Sequence, residues 1–286
     1  MRLVHWPALF AAALVAPLLA ACEVMTAPPL PDGAARFDPP PAYQLWWAMT
    51  QQCSARPGAL ASINWYVVPG AHSLEVEGKR VDGYWTSAGN TIVLAEDAMM
   101  DPSLVRHEML HALARVTAHP RDYFLGRCGG VVVCISSCLA DAGPPPPANP
   151  AALRVSPSEL EIGVTLTSAN PSPALYGGYF AITVTVRNPR NQPVIVTLPP
   201  SSDAGPPVSF EYRVEFDGGV TMYNDRAWDE GVLRFGPGET KRHTFDFHAR
   251  GVSGITGRGG LGPGTYRFRT AFGGVWAPTV PTITLR

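Results

Sequence analysis

The pattern of apolar and polar positions changes near residue 150. Before that point, segments of helical and of extended character alternate. Tyr43–Cys53, with Leu45, Trp46, Trp47 and Met49 among polar residues, predicts a short helix stopped by Arg56-Pro57-Gly58. Ser62–Val68 predicts a strand ended by Pro69-Gly70. Further strands are expected near Leu74–Val76 and at Thr91–Ala95, the latter after a turn at Ser87-Ala88-Gly89-Asn90. Asp101-Pro102 marks a helix start, because a side-chain acceptor at the N-cap precedes a proline whose missing N–H costs nothing there. That helix is expected to run from Pro102 to about Thr117, since Pro120 disfavours helical geometry before it.

Beyond the break the period becomes two. Leu160/Ile162/Val164/Leu166, Phe180/Ile182/Val184/Val186, Phe210/Tyr212/Val214/Phe216, Phe245/Phe247 and Tyr266/Phe268 alternate with polar or small residues. Short alternating strands separated by turn signals predict an all-β antiparallel sandwich over residues 153–286. The turns Phe235-Gly236-Pro237-Gly238-Glu239 and Gly262-Pro263-Gly264-Thr265-Tyr266 resemble those of bacterial immunoglobulin-like domains, in particular the BsuPI-type proteinase-inhibitor fold. That resemblance implies a fold and carries no activity with it.

The remaining segments place the chain in a compartment. Arg2 followed by the apolar run Leu3–Leu19 and by Leu19-Ala20-Ala21-Cys22 has the layout of a secretory signal and is short for a membrane span. Leu-Ala-Ala-Cys resembles the bacterial lipobox, which implies a lipoprotein signal peptide over 1–22 and lipidation of Cys22. An exported protein, lipid-anchored on the periplasmic or cell-surface side of a bacterial membrane, is expected. Residues 23–41, rich in Pro and Ala, read as a tether, and 143–152 as a stiff Pro-rich linker between domains at 42–142 and 153–286. The 22 Lys and Arg balance 23 Asp and Glu without a basic cluster, which argues against nucleic acid as a partner. The four cysteines other than Cys22 are read as two disulfides, as fits an exported chain. Three connectivities are open, with Cys53–Cys128 and Cys134–Cys138 preferred.

Chemistry concentrates at His107-Glu108-Met109-Leu110-His111. Histidines four apart on a helix project from one face and can share one zinc ion, while Glu108 reaches the water that the metal activates. Met109, Leu110, Ala112, Leu113 and Val116 can pack the helix and hold the ligands. Arg106 to Leu113 is similar to the active-site helix of zincin metallopeptidases, a resemblance that covers Thr91–Pro120 and extends loosely over 42–140. The resemblance implies an α+β zincin-like domain, a Zn2+ cofactor, Glu108 as general base and the preceding strand as the upper lip of a substrate cleft. The third ligand is less direct. Ala114 and Thr117 break the metzincin pattern, and no glutamate occurs between Glu108 and Glu159 for a gluzincin-type ligand. His119 is the preferred third ligand if the chain turns back before Pro120; capping the helix C-terminus is the competing role, and Asp122 is the runner-up ligand. Tyr66, Tyr84 and Tyr123 are candidate donors to an oxyanion, although packing is the simpler role for each. Trp46, Trp47, Trp65 and Trp85 read as core or cleft wall, and His72, His243 and His248 as surface or strand residues.

These features point first to a membrane-anchored zinc metallopeptidase acting on peptides or proteins of the cell envelope. The alternative is a non-catalytic envelope-binding lipoprotein with a structural metal and a partner-binding sandwich. In a third arrangement the sandwich gates or inhibits the cleft in cis.

Overall fold

The structure is a computed structural model that describes residues 29–132, 134, 136–141, 149–169, 179–198, 210–216, 219–225, 232–248 and 264–285. The signal peptide with Cys22, the start of the tether, most of the Pro-rich linker and the first part of the turn at Gly262 lie outside these residues. No helix among the described residues is long and apolar enough to cross a membrane.

The N-terminal unit opens with β1 (Ala35–Arg36) and α1 (Ala42–Ser54), followed by β2 (Asn64–Val68) and the ribbon β3 (Leu74–Val76) and β4 (Lys79–Val81). Then come β5 (Gly83–Thr86), β6 (Thr91–Ala95), α2 (Pro102–Ala114) and α3 (Ser136–Asp141). Four strands form one sheet in the order β1-β2-β6-β5, in which β2 and β6 run parallel and β5 pairs antiparallel with β6. Alternation sorts the side chains. Trp65, Trp85, Ile92 and Leu94 face α1 and α2, where they meet Trp46, Trp47, Val105, Met109, Ala112 and Leu113 in one core. Tyr66, Tyr84 and Val93 face the other way, toward Leu74, Val76 and Val81 of the β3–β4 ribbon. β6 is therefore covered on both faces, which accounts for its unbroken apolar run. Asp101 caps α2 as its sequence predicts: the carboxylate accepts from the N–H groups of Ser103 at 3.0 Å and Leu104 at 3.1 Å.

The C-terminal unit is built of strand. It comprises β7 (Leu153–Val155), β8 (Glu161–Ala169), β9 (Tyr179–Arg187), β10 (Val194–Thr197), β11 (Phe210–Phe216), β12 (Gly219–Asp225) and β13 (Val232–Phe235), followed by β14 (Thr240–His248), β15 (Gly264–Phe272), β16 (Val275–Trp276) and β17 (Thr282–Leu285). β8, β9 and β14 form one antiparallel sheet; β12, β11, β15 and β16 form a second, with β17 on β15; β7, β10 and β13 form a third. The alternating positions of the sequence become the shared core, in which Val164, Ile182, Val184, Phe245, Phe247, Phe210 and Phe268 are buried together. Strand exceeds helix overall, in a mixed α/β architecture.

The two units meet closely. Tyr179 and Ala181 of β9 belong to the core of the N-terminal unit. Arg106 of α2, 1% exposed, spans the junction. Its guanidinium donates to both carboxylate oxygens of Asp246 on β14 at 2.9 and 2.7 Å and, through Nε, to the Val131 carbonyl at 2.6 Å. The Tyr179 hydroxyl also donates to Asp246. Burial acts against the Arg106 charge, and Asp246 and Tyr179 more than offset it. Removing one partner of such a buried pair costs about 3–5 kcal/mol, because the other is left uncompensated.

Cys53 bonds Cys128 and Cys134 bonds Cys138, the preferred pairing. The first bridge joins the end of α1 to a point 75 residues later. Loop-closure entropy for a ring of that size is about 4 kcal/mol. Cys53→Ser with Cys128→Ser should therefore lower the urea-unfolding free energy by several kcal/mol, whereas the four-residue Cys134–Cys138 loop should matter much less. Equal losses from the two pairs would contradict this ranking.

Candidate metal centre

α2 ends at Ala114, three residues earlier than the sequence suggests. Arg115 adopts a left-handed conformation (φ 59°, ψ 39°), and its N–H closes onto the His111 carbonyl at 2.8 Å. The early stop matters because the chain now turns back over the histidine face. Val116 presents its carbonyl to His111 Nδ1 at 2.7 Å. His119 then arrives beside the first two histidines. His107, His111 and His119 form a group whose ligand atoms all lie within 4.8 Å of one another.

The contacts within the group are tighter than that limit. His107 Nε2 lies 3.1 Å from His111 Nε2 and 3.1 Å from His119 Nε2. Three nitrogens bound tetrahedrally at zinc distances of 2.0–2.1 Å stand about 3.3 Å apart, so the spacing suits one small cation. The tautomers agree with this. His111 Nδ1 faces a carbonyl, and His119 Nδ1 faces the Asp141 carboxylate at 3.0 Å, so each Nδ1 carries the proton. Their Nε2 atoms are then lone pairs converging on a third imidazole, an arrangement that a cation at their centre satisfies. The carboxylate behind His119 is also the usual outer partner of a metal-binding histidine. The residues present thus fit a divalent metal ion.

Two aromatic rings frame the triad. Phe124, fully buried, lies 5.0, 4.6 and 5.0 Å from the His107, His111 and His119 rings, centroid to centroid. It is carried by a wide π-helical turn over Asp122–Arg127, just upstream of the disulfide at Cys128. Trp85 of β5 is parallel to His111 at 6.5 Å. Glu108 is buried beside His107, and its carboxylate accepts the backbone N–H of Trp85. A side chain at Gly83 would meet Leu94 Cδ2 at 2.7 Å and Glu108 Cγ at 3.6 Å, so a glycine there lets β5 approach α2 closely.

Several sequence expectations are placed differently. The strand beside Glu108 is β5, at the sheet edge, whereas the strand immediately preceding α2 is β6, paired on both sides and unavailable as a lip. Tyr66 and Tyr84 lie on the sheet face turned from α2, which removes them as oxyanion donors; burial raises the Tyr84 phenol above its usual pKa. The Tyr123 hydroxyl accepts from the Arg56 guanidinium. Asp122 pairs with Arg127 at 3.0 Å on the surface and is not part of the histidine group. Trp46, Trp47, Trp65 and Trp85 are core residues. His72 is exposed against Asp97, whereas His243 is buried in the C-terminal unit against Phe210. His248 ends β14. Phe124, Asp141 and the Trp85 amide were not anticipated.

No protein-family model matches the sequence, and no curated protein does. Solved structures align with less than half of the chain and with low TM-scores. They include the alkylpurine DNA glycosylase AlkC of Pseudomonas fluorescens (15% identity over 45% of this chain and 30% of that one, TM-score 0.28). The putative ApaA protein of Bordetella pertussis aligns at 17% identity over 44% and 88%, with TM-score 0.24. A β-glucosidase of Erythrobacter marinus aligns at 14% over 44% and 16%, with TM-score 0.27. The chain spans under a third of the length of the glycosylase and carries nothing over from it.

Electrostatics make the metal-free site uncomfortable. Burial, helped by His107, holds His111 well below the ordinary histidine value of 6.5 despite its bond to Val116. Burial pushes the Glu108 carboxyl from 4.5 up to about 8, against the lowering effect of the Trp85 N–H. Both groups therefore prefer to be neutral when folded and metal-free. As pH falls below 6.5 the unfolded chain takes up a proton that folded His111 resists, and stability drops. Above 4.5 the unfolded chain releases a proton that folded Glu108 retains, and stability declines up to about pH 8. Metal-stripped Glu108→Gln should accordingly exceed wild type in stability at pH 8, by more than about 1 kcal/mol, with the gap narrowing toward pH 5.5. Urea unfolding in the presence of a chelator measures both; an unchanged or lowered stability at pH 8 would refute the buried-carboxyl assignment.

Proposed function

We propose that this protein is an exported, lipid-anchored zinc metallopeptidase whose N-terminal unit is zincin-like and whose C-terminal unit is an immunoglobulin-like sandwich. The observation that carries this reading is the convergence of His107, His111 and His119 Nε2 next to a buried glutamate on the same helix. His107, His111 and His119 would hold the ion. Zinc in such a site supplies Lewis acidity, polarising a carbonyl and bringing water within reach of deprotonation near neutral pH.

The chain's own residues do the rest. Glu108 follows His107 directly and accepts the proton of the attacking water, then returns it to the leaving amine. The Trp85 N–H fixes the carboxylate's direction. Asp141 and the Val116 carbonyl hold two imidazoles in the tautomer that leaves Nε2 free to ligate. Phe124 closes the floor and excludes water from that side. β5 lies at the edge of its sheet and is the lip along which a peptide would lie.

Metal analysis and Glu108→Gln test the reading together. Purified protein is expected to hold one zinc, and Glu108→Gln to keep it while peptide hydrolysis falls by at least about a thousandfold, into the range of lost proton-transfer and positioning effects. Zinc bound with no hydrolysis by wild type would favour the non-catalytic binding lipoprotein, and no zinc would remove the metallopeptidase reading. Cys22→Ser should shift the protein from the membrane to the soluble fraction and abolish incorporation of labelled fatty acid.

A further inference from the structure

The sandwich touches the metal centre from behind. Arg106, immediately before His107, is gripped by Asp246 of β14 and Tyr179 of β9. The same guanidinium holds the Val131 carbonyl through Nε. One residue earlier, the Gly130 carbonyl accepts the Thr244 N–H of β14 at 2.7 Å. A Cβ at Gly130 would stand 2.9 Å from His243 Cα and closer still to the Arg242 carbonyl, so backbone meets backbone there without room for a side chain. β14 thus bonds both to the helix carrying His107 and His111 and to the segment that leaves Phe124 through Cys128. His119, the third donor, lies on the reversal that connects those two pieces of chain.

We propose that β14 is a positioning element of the metal centre: Asp246, through Arg106, and Thr244, through Gly130, lock α2 against the Phe124–Val131 segment and so define the ligand geometry. The sandwich is then an integral part of the site and not a module tethered beside it. The geometry explains three features that packing alone leaves unexplained. A fully buried arginine sits one residue from a ligand, its guanidinium is engaged on three sides, and its acidic partner lies 140 residues away on another unit. An apolar contact would join the units as firmly, but it would not fix the rotation of α2, whereas a planar bidentate pair does. The Arg106 side of the helix is about 100° from the His107 side, so a small rotation there sweeps both imidazoles relative to His119.

This proposal rests on the metal-centre reading, and the experiment separates the two. Full-length wild type, Asp246→Asn, Tyr179→Phe and the apolar double variant Arg106→Met with Asp246→Leu are loaded with Co2+. Affinity is read by chelator competition, site geometry by the visible cobalt spectrum and stability by urea unfolding. Asp246→Asn is expected to bind at least tenfold more weakly with an altered spectrum, and Tyr179→Phe severalfold more weakly. The double variant should regain the urea midpoint without regaining affinity or spectrum, since it restores packing and not orientation. Should Asp246→Asn not fold, Tyr179→Phe and the double variant carry the test. Wild-type affinity and spectrum in the single variants, or their recovery in step with stability in the double variant, overturn the proposal. Wild type that binds no cobalt overturns the metal-centre reading itself, and the proposal with it.

Discussion

One helix can aim two histidines four residues apart at a common point, but the next residue on that face is too far along the axis to join them. The site therefore depends on how the chain leaves α2. It leaves through Arg115, a non-glycine residue in the left-handed region, at a cost of about 1–2 kcal/mol. The reversal makes three things together. The Arg115 N–H satisfies the His111 carbonyl, the Val116 carbonyl meets His111 Nδ1, and His119 is returned to the histidine face. Pro120 then blocks continuation of the chain as helix from His119, while its free carbonyl accepts the Tyr123 and Phe124 N–H groups and starts the turn that lays Phe124 beneath the three rings.

A reversal of this kind holds its geometry only inside a rigid frame, and the N-terminal unit is small. Its sheet has four strands, one of them two residues long. Four tryptophans supply large buried surfaces between sheet and helices, and the Cys53–Cys128 bridge ties α1 to the end of the Phe124 turn. The remaining support comes from the C-terminal unit, whose Tyr179 and Ala181 complete the N-terminal core. The units are consequently poor candidates for free relative motion, since separating them would break the bidentate Arg106–Asp246 pair and expose the apolar surface that Tyr179 and Ala181 bury.

What the sequence disclosed follows from the range over which each feature is encoded. The start of α2 is written in two adjacent residues, Asp101 and Pro102. The pairing of His107 with His111 is written in the helical repeat, and the strands of the C-terminal unit in alternation. Each is local, and each stands in the structure. The end of α2 is not legible locally, because Arg115, Val116 and Thr117 include neither glycine nor proline; the helix stops where Arg115 takes a left-handed conformation. Asp141 and Phe124 act through contacts made after the reversal, so no spacing rule points to them. β5 lacks a run long enough to stand out beside β6, and its role arises from its place at the edge. The Arg106–Asp246 pair joins residues 140 apart, for which a single sequence offers no local signal.

The polar groups of the centre also show why its frame must be strong. Without a cation, two imidazole lone pairs converge on a third ring, and a carboxyl is buried where its ionisation is opposed. Neither condition favours the folded state, so the surrounding packing, the bridge and the inter-unit pair must outweigh them before any ligand arrives. A divalent cation reverses the sign of both: lone pairs become bonds, and a nearby positive charge favours the carboxylate. On binding such an ion, the energy stored by holding these groups together would return as affinity and couple the stability of the chain to occupancy of the His107–His111–His119 group.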